Sequence, residues 1–457
     1  MKMRLLHFIS AVLLVVILLQ PVSAEQYWKE KQQALFDKYD IKDGDVFDSS
    51  NCDKIKSLLP EPIFNWVKKG EWTIPIGEME YDFGTDPAWI DDRNAGKFKL
   101  GDKDQVIEIA TGKYSKHADG IPFPISKIDF SDTKTAAIKI INNSMGKSPI
   151  SSPIDRGFYQ EWIGQKGYEK CISGSLQIMV YATERSSLKE IFNPNEFAVT
   201  SLIKIEEPYD VAGTCVLSWR YFDLSEDVGF TYLPIIRRVK RNSQAQRSDS
   251  NMGTDFALDD QDCFNGRIDS MNWDLIDEQD FLMPVMGDSL NRIEEYKEFP
   301  DGSWRPAFEV DPMINGYMDP EWKGAPWAPL NVKWILRDCW VLELYPKDEY
   351  YNYGRQLLYI DKRNLSASFK VIYDRAGNYW KTILTLYSVF KGKGGLKNTT
   401  STMYLGVDDK AHHASTGISA GTYTGGSGKT RKFKAILFSP YVKPGIFSPQ
   451  NLSRIAR

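Results

Sequence analysis

The sequence predicts an α+β fold in which a large antiparallel β-sheet curves strongly around a few helices. Helical patterns occupy the first third of the chain, whereas strand-like runs follow one another from residue 173 onward. The chain contains 13 Trp, 23 Tyr and 23 Phe, many of them inside the strand-like runs, which is typical of a bulky β core. The clearest run, 331–345, alternates apolar and polar side chains, as expected for a sheet with one buried face.

The first 24 residues have the pattern of a cleavable signal peptide. Lys2 and Arg4 precede a mostly apolar run, and Val22-Ser23-Ala24 supplies the small residues of a cleavage site. The apolar run is shorter than the roughly 20 residues that a membrane-spanning helix needs. We therefore expect residues 1–24 to be removed on export and residues 25–457 to form one large soluble domain.

Three segments near the start of the mature chain predict helices. The predicted helices are 27–40, 54–69 and 133–143. Pro60 and Pro62 interrupt the second of them, and Ser131 or Asp132 is the N-cap of the third. The stretch between the second and third helices is rich in Gly, Pro and Asp, which favours loops. The N-terminal part, 25–150, is thus predicted to be helical and irregular.

The main curved sheet is predicted to occupy residues 151–457, where apolar and polar residues alternate in short runs. The predicted strands are 173–184, 196–206, 214–222, 232–238, 279–285, 331–345, 355–362, 367–374 and 379–391. Two stretches rich in Gly with Pro or Ser, 287–330 and 392–430, are predicted to be irregular, the first of them a long loop or a lid and the second a loop.

Several blocks of sequence carry a resemblance to a known family. They are GIPFPI (120–125), EPYDVAGTCVLSW (207–219), YLPIIRRVKR (232–241), FNGRIDSMNWDLIDEQDFLMPV (264–285), WILRDCWVLEL (334–344) and FSPQNLSRIAR (447–457). This pattern resembles the LolA/LolB-like superfamily of periplasmic lipid-handling proteins. Within that superfamily it most resembles the large branch known as domain of unknown function 1329.

The resemblance implies a fold, a compartment and partners. LolA/LolB-like folds are half-open β-barrels whose apolar concave face is closed by a helical lid, and such an interior can hold an acyl chain. The chain would then be a non-enzymatic carrier of a hydrophobic molecule in the Gram-negative periplasm, without a cofactor. Relatives are often associated with resistance-nodulation-division (RND) exporters and an outer-membrane β-barrel protein, which are the implied partners.

The predicted cavity wall comes from strand 331–345 and its neighbours. If the apolar face of that strand turns inward, its side chains line the concave face together with aromatic residues of neighbouring strands. The predicted wall residues are Trp219, Val332, Trp334, Leu336, Trp340, Leu342 and Tyr373. The alternative is an interaction adaptor whose barrel is filled by its own aromatic side chains and holds no ligand.

A basic run follows the central block. The formal net charge of the chain is −4, which gives no reason to expect nucleic-acid binding. The run itself comprises Arg237, Arg238, Lys240 and Arg241, with Arg247 beyond it. One interpretation is a contact for anionic head groups or for an acidic partner. The other, which the sequence favours, is a set of salt bridges to the nearby Asp249, Asp255, Asp259 and Asp260.

A hydrolase is the third function considered. GISAG (417–421) fits the nucleophile-elbow pattern, with Ser419 as the nucleophile. The pattern needs a helix after the serine and a histidine later in the chain, whereas His412 and His413 both precede Ser419. The sequence therefore predicts no enzymatic activity.

Metal and cysteine patterns are equally sparse. Three His in the mature chain do not complete a zinc set. An acidic cluster lacks the glycine and final glutamate of an EF-hand, so a solvated acidic turn is favoured over a structural cation site. The cluster comprises Asp255, Asp259, Asp260 and Asp262. Five cysteines allow two disulfides and one free thiol, and structural roles are predicted for all five.

The cleavage site gives a first prediction. N-terminal sequencing of the protein purified from its host should find Glu25 as the first residue, because Ala24 ends the small-residue pattern. Protein recovered from the membrane fraction with Met1 retained would contradict this expectation.

Overall fold

The computed structural model describes residues 24–115, 120–147, 152–181, 193–242, 247–307, 311–392, 395, 397–418 and 421–457. The α-helices in these ranges are α1 (Ala24–Tyr39), α2 (Glu61–Lys68), α3 (Thr133–Met145) and α4 (Leu452–Ile455). None of the helices in the described ranges is long and apolar enough to cross a membrane.

The strands are short near the N-terminus and long from residue 154 onward. They are β1 (Val46–Phe47), β2 (Ile74–Pro75), β3 (Phe98–Leu100), β4 (Val106–Glu108), β5 (Ile154–Gly164), β6 (Gly167–Val180), β7 (Phe197–Glu207), β8 (Cys215–Tyr221), β9 (Val228–Leu233), β10 (Arg238–Asn242), β11 (Met271–Met286), β12 (Glu294–Glu298), β13 (Trp304–Pro306), β14 (Val332–Pro346), β15 (Tyr353–Asp361), β16 (Ala367–Asp374), β17 (Tyr379–Lys391), β18 (Lys397–Asp408), β19 (His413–Ile418), β20 (Gly421–Thr424), β21 (Thr430–Phe433) and β22 (Ala435–Ile436).

The three predicted helices are present. The second is divided, as its prolines require, into a 3₁₀ turn at Cys52–Leu58 and helix α2, which begins after Pro60. Asp132 caps α3, because its side chain accepts a hydrogen bond from the Thr135 amide at 3.1 Å.

One large sheet organises the molecule. Its strands run in the order β10-β9-β8-β7-β6-β5-β19-β18-β17-β16-β15-β14-β11, and every neighbouring pair is antiparallel. The end strands β10 and β11 do not pair in the described part of the chain, so the sheet is open. It also curves, since β11 contacts β17 although β14, β15 and β16 lie between them. The predicted curved antiparallel sheet is confirmed.

Several boundaries differ from the sequence predictions. β16 and β17 match their predicted ranges, but the predicted loop 392–430 is wrong, because it contains the long strands β18 and β19. The predicted lid, 287–330, contains the hairpin β12–β13. The predicted strand 232–238 is also wrong: β9 ends at Leu233, and residues 234–237 form a turn before β10.

Both faces of the central strands are buried, which the alternation of strand 331–345 did not predict. Leu357 and Tyr359 of β15 enter one hydrophobic core, while their neighbours Leu358 and Ile360 enter another. Helices α1 and α2 cover the first core, and α3 covers the second. Arg337, one of the polar residues of this alternation, is buried and bonded to Asp361.

An acidic segment after β10, Asp255 to Asp260, crosses the face of the sheet that carries α3; we call it the acidic strap. Asp260 accepts hydrogen bonds from Lys370 Nζ at 2.8 Å and from the Tyr353 hydroxyl at 2.7 Å. Burial opposes the charged form of Asp260, but the Lys370 and Lys381 ammonium groups hold the pKa of that carboxyl below its usual value.

The other two carboxylates of the strap are also paired. Asp259 accepts from Arg247 Nε at 2.7 Å and from the Tyr351 hydroxyl at 3.0 Å. Asp255 lies 2.7 Å from His413 Nδ1 and accepts from the Ser415 hydroxyl at 2.6 Å. All three carboxylates are buried, so the predicted solvated acidic turn is wrong.

The five cysteines are free thiols. Cys52, Cys215, Cys263 and Cys339 are buried, and Cys171 is half-buried. Burial raises the pKa of the Cys215 thiol to about 11 and that of Cys263 to about 12, which keeps both protonated and weakly reactive.

The buried pair within the strap gives a second prediction. Lys370→Met should lower the free energy of unfolding by about 3–5 kcal/mol, because it leaves the Asp260 carboxylate buried without its cation. Chemical denaturation measures this loss. Lys410→Met is the matched control, since it removes the same side chain from an exposed pair with Asp374, and it should change stability little. Equal losses in the two variants would contradict a stabilising role for the strap.

Candidate functional site

A cavity of about 410 Å³ lies beneath the β12–β13 hairpin. The hairpin spans two distant parts of the sheet: Glu294 of β12 pairs with Phe390 of β17, and Trp304 of β13 exchanges backbone hydrogen bonds with Leu437 at 2.9 and 2.8 Å. β18, β19 and β5 lie between these two anchor points in the strand order. The hairpin therefore roofs the cavity, and the predicted lid 287–330 contributes this roof.

The lining of the cavity is mixed in character. Its apolar residues are Ile154, Tyr296, Pro306, Ala307, Met403, Phe433, Ala435, Ile436 and Leu437. Its cationic residues are Arg156, Arg305, Lys432 and Lys434. Thr400, Ser401 and Thr402 add hydroxyl groups, and Glu294 adds a carboxyl. An apolar body with an anionic head group matches this combination best.

Two polar atoms of the lining lack protein partners. Arg156 Nε and Glu294 Oε1 are both buried without a hydrogen bond to any described residue. Buried polar groups are nearly always satisfied, so such atoms in a cavity wall indicate a bound molecule or ordered water. Lys434 and Arg305, by contrast, are paired with Asp155 at 2.6 Å and Asp301 at 2.8 Å.

Glu294 supplies the carboxyl group of the cavity lining. Its side chain is 5% exposed, and burial raises the pKa of the carboxyl to about 7. At neutral pH and below, a large fraction of Glu294 is therefore protonated and can donate a hydrogen bond as well as accept one.

A second buried carboxylate holds a hairpin that contributes to the cavity wall. Glu161 of β5 accepts hydrogen bonds from the hydroxyl groups of Tyr159, Tyr317 and Tyr423, at 2.8, 2.8 and 3.0 Å. Asn315 Nδ2 donates to it at 3.1 Å. Because Tyr423 belongs to β20, this hub holds the β20–β21 hairpin, whose Phe433 lines the cavity, against β5.

The predicted wall residues lie elsewhere. Val332, Trp334, Leu336, Trp340 and Leu342 are 0–2% exposed and are packed in the two cores, and the 410 Å³ cavity is lined by other residues. Trp219 and Tyr373 are half-buried, the first donating to the Phe447 carbonyl at 3.0 Å and the second lying against the Arg355 guanidinium. A cavity along the β14 face stays a prediction.

The basic run is placed at an edge of the sheet. Arg237 lies in the turn before β10, and Arg238, Lys240 and Arg241 lie on β10; all four side chains are exposed. Of the salt bridges predicted for the basic residues, the one between Arg247 and Asp259 is present, with a distance of 2.7 Å from Arg247 Nε to the carboxylate. The other predicted partners are bonded to residues outside the basic run: Asp249 to Asn352, Asp255 to His413 and Asp260 to Lys370. Ser419, the nucleophile of the hydrolase hypothesis, lies outside the described residues.

The sequence did not predict this cavity, because many of its lining residues lie in the predicted loops 287–330 and 392–430. Residues 400–403 belong to β18, whose Thr- and Ser-rich composition is typical of a loop. The available signal was the alternation of Met403, Leu405 and Val407 with Tyr404 and Gly406, which is a strand pattern.

Comparison with known proteins places the chain in a sequence family. The family model described as protein of unknown function (DUF1329) matches residues 46–452. No curated protein matches the chain.

Three solved structures show a distant likeness to the fold. A DUF1329 family protein from Desulfovibrio piger is 16% identical, with 70% of this chain and 99% of that chain covered and a TM-score of 0.45. An outer membrane lipoprotein-sorting protein domain from Vibrio parahaemolyticus is 16% identical, with 69% and 97% covered and a TM-score of 0.42. A LolA superfamily protein from Nitrosomonas europaea is 14% identical, with 68% and 97% covered and a TM-score of 0.38.

Glu294 gives a third prediction, which concerns pH. Its folded-state pKa of about 7 lies above the ordinary value of 4.5, so its contribution to stability is complete below pH 4.5 and is lost as the pH rises to about 7. Relative to wild type, Glu294→Gln should gain stability across this window, by on the order of 3 kcal/mol. Urea unfolding at pH 4.5 and pH 8 measures the difference.

Glu295→Gln provides the control for this measurement, because it removes an exposed carboxylate from the same strand. A stability difference between Glu294→Gln and wild type that does not change with pH would show that Glu294 ionises as freely in the folded chain as in the unfolded one.

Proposed function

The chain belongs to the DUF1329 family, and we propose that it is a periplasmic carrier that binds an amphiphilic molecule with an acidic head group. The observation that supports this most is the 410 Å³ cavity, whose wall combines apolar side chains with the unpartnered Arg156 Nε and Glu294 Oε1. The volume is within the range of roughly 300–1,000 Å³ that small-molecule sites occupy.

The apolar wall would supply most of the affinity. Burial of apolar surface stabilises by about 25 cal/mol per Å², so ten buried methylenes contribute roughly 8 kcal/mol before the cost of ordering the ligand. Phe433, Met403 and Leu437 offer such a surface. This contribution does not require a catalytic residue, so the proposed carrier is not an enzyme.

The polar groups would fix the orientation of the ligand. Arg156 is suited to an acidic head group, because a guanidinium pairs with a carboxylate or phosphate through two parallel hydrogen bonds. The protonated form of Glu294 would donate a hydrogen bond to a second oxygen of the head group. A ligand with a neutral head would leave the buried Arg156 Nε without an anionic partner.

A further part of the proposal concerns the protein partners of the carrier. We infer from the family resemblance that the carrier exchanges its ligand with an RND-type exporter of the inner membrane and with an outer-membrane β-barrel protein. Chemical cross-linking in the host followed by mass spectrometry tests these two contacts separately from ligand binding.

One observation favours a second candidate function. The predicted wall residues of β14 are buried in the two hydrophobic cores, which is compatible with an adaptor that holds no ligand. In that case the cavity beneath the β12–β13 hairpin holds only water, and the molecule acts through its surface.

Extraction of the protein distinguishes the two functions and gives a fourth prediction. Protein purified from its host should release an acidic amphiphile into organic solvent, detected by mass spectrometry. Ala435→Trp should abolish this release, because an indole at a cavity-lining position occupies the ligand space. Ala411→Trp, at an exposed turn, is the matched control and should retain the ligand.

Val332→Trp completes this test. Val332 is fully buried in the first core, so the larger side chain should overpack it and cost typically 1–3 kcal/mol, while the folded fraction keeps its ligand. Loss of the ligand with unchanged stability would instead place the ligand along β14. If the wild type, Ala435→Trp and Ala411→Trp all release no amphiphile, the adaptor function is favoured.

A further inference from the structure

Two hairpin turns lie side by side at one end of the sheet. β7 ends at Glu207 and β8 begins at Cys215, which pairs with Tyr232 near the end of β9. The turn 208–214 and the turn 234–237 therefore project from the same end. They also touch: a Cβ on Gly213 would lie 3.3 Å from Pro234 Cγ and 2.7 Å from the Ala456 carbonyl oxygen.

Exposed large apolar side chains lie on both turns and at the start of β10. Tyr209 is 97% exposed, Ile235 90% and Ile236 54%, and Val211 and Val239 are exposed beside them. Soluble proteins rarely cluster such residues in water, and a cluster of this kind marks a surface that another phase or molecule covers. We call these five residues the apolar tip.

Cations surround the apolar tip. Exposed basic side chains come from the turn, from the edge strand β10 and from the C-terminal residues, which reach the tip through α4 and Ala456. They are Arg237, Arg238, Lys240, Arg454 and Arg457. The exposed acids of the first turn and of the strand before it are Glu206 and Asp210. The balance is strongly positive on a chain whose overall charge is −4.

In the second turn, Arg237 occupies a backbone conformation that favours glycine. Arg237 has a φ of 50°, in the left-handed region where glycine is the ordinary choice. An arginine at this position places a charge next to Ile235 and Ile236 at some cost in backbone strain.

We propose that the apolar tip docks onto an anionic lipid bilayer, with Ile235, Ile236 and Tyr209 entering the headgroup region and the surrounding cations contacting lipid phosphates. A basic surface with apolar residues is the combination that peripheral membrane proteins use. Each basic residue near an anionic surface strengthens binding roughly fivefold, so the cluster suffices for reversible docking.

The docking end is connected to the cavity. Glu207, at the foot of the first turn, is bonded to Lys429 and, at 2.8 Å, to Arg431. Both lie in the β20–β21 hairpin, whose Phe433 and Lys432 line the cavity. Docking at the tip would thus hold the cavity near the membrane surface. The proposal does not depend on the cavity being occupied.

Vesicle co-sedimentation of the exported full chain tests the proposal. Wild type should bind vesicles of phosphatidylcholine mixed with phosphatidylglycerol, should bind vesicles of phosphatidylcholine alone far less, and should dissociate at high salt. Ile235→Ser/Ile236→Ser should weaken binding at least tenfold. Arg237→Gly/Arg238→Gln should weaken it similarly at low salt, and Arg237→Gly relieves the backbone rather than straining it.

The controls use an exposed isoleucine and an exposed lysine outside the apolar tip. Ile109→Ser and Lys443→Gln should bind the anionic vesicles like wild type, which excludes a general effect of surface apolarity or charge. The proposal is overturned if wild type does not bind anionic vesicles at low salt, or if the tip variants bind these vesicles as tightly as the control variants do. If the tip variants instead lose a co-purifying acidic protein, the tip is a protein-docking surface and the bilayer proposal is wrong.

Discussion

The acidic strap is the constraint on which the rest of the structure depends. A carboxylate taken out of water must be paired, or the loss of its hydration opposes folding by several kcal/mol. Asp260 takes its partners from β15 and β16, and Asp255 takes its partners from β19. These strands must therefore be in register together before the charges can be buried.

Both faces of the sheet are covered. The strap and α3 occupy one face, with Phe256 and Phe264 in the second core, and α1 and α2 occupy the other. The cavity lies where the β12–β13 hairpin leaves the sheet and bridges β17 to the segment after β21, and Glu161 holds the β20–β21 hairpin of its wall against β5.

The sequence predicted those elements whose pattern is local. β14, β16 and β17 alternate strongly, and Asp132 caps α3 through a contact within one turn. It failed where the decisive contact is distant. Nothing near Asp260 in the chain indicates that Lys370 neutralises it, so the strap resembled a solvated turn. The Thr-rich sequence of β18 is typical of a loop, and it forms a strand because β17 and β19 pair with it on both sides.

The order of strands also determines how the chain can fold. β5–β10 form one meander and β14–β19 another, and each can assemble from contacts that are near in sequence. The two meet through the pairing of β5 with β19, where Ile163 faces Ala414, more than half the chain away. Loop closure of that length is entropically slow, so the joining of two preformed halves should limit the folding rate. Until β19 is in place, β5 has a free edge, and this edge is where the half-folded chain would be most prone to pair with another chain.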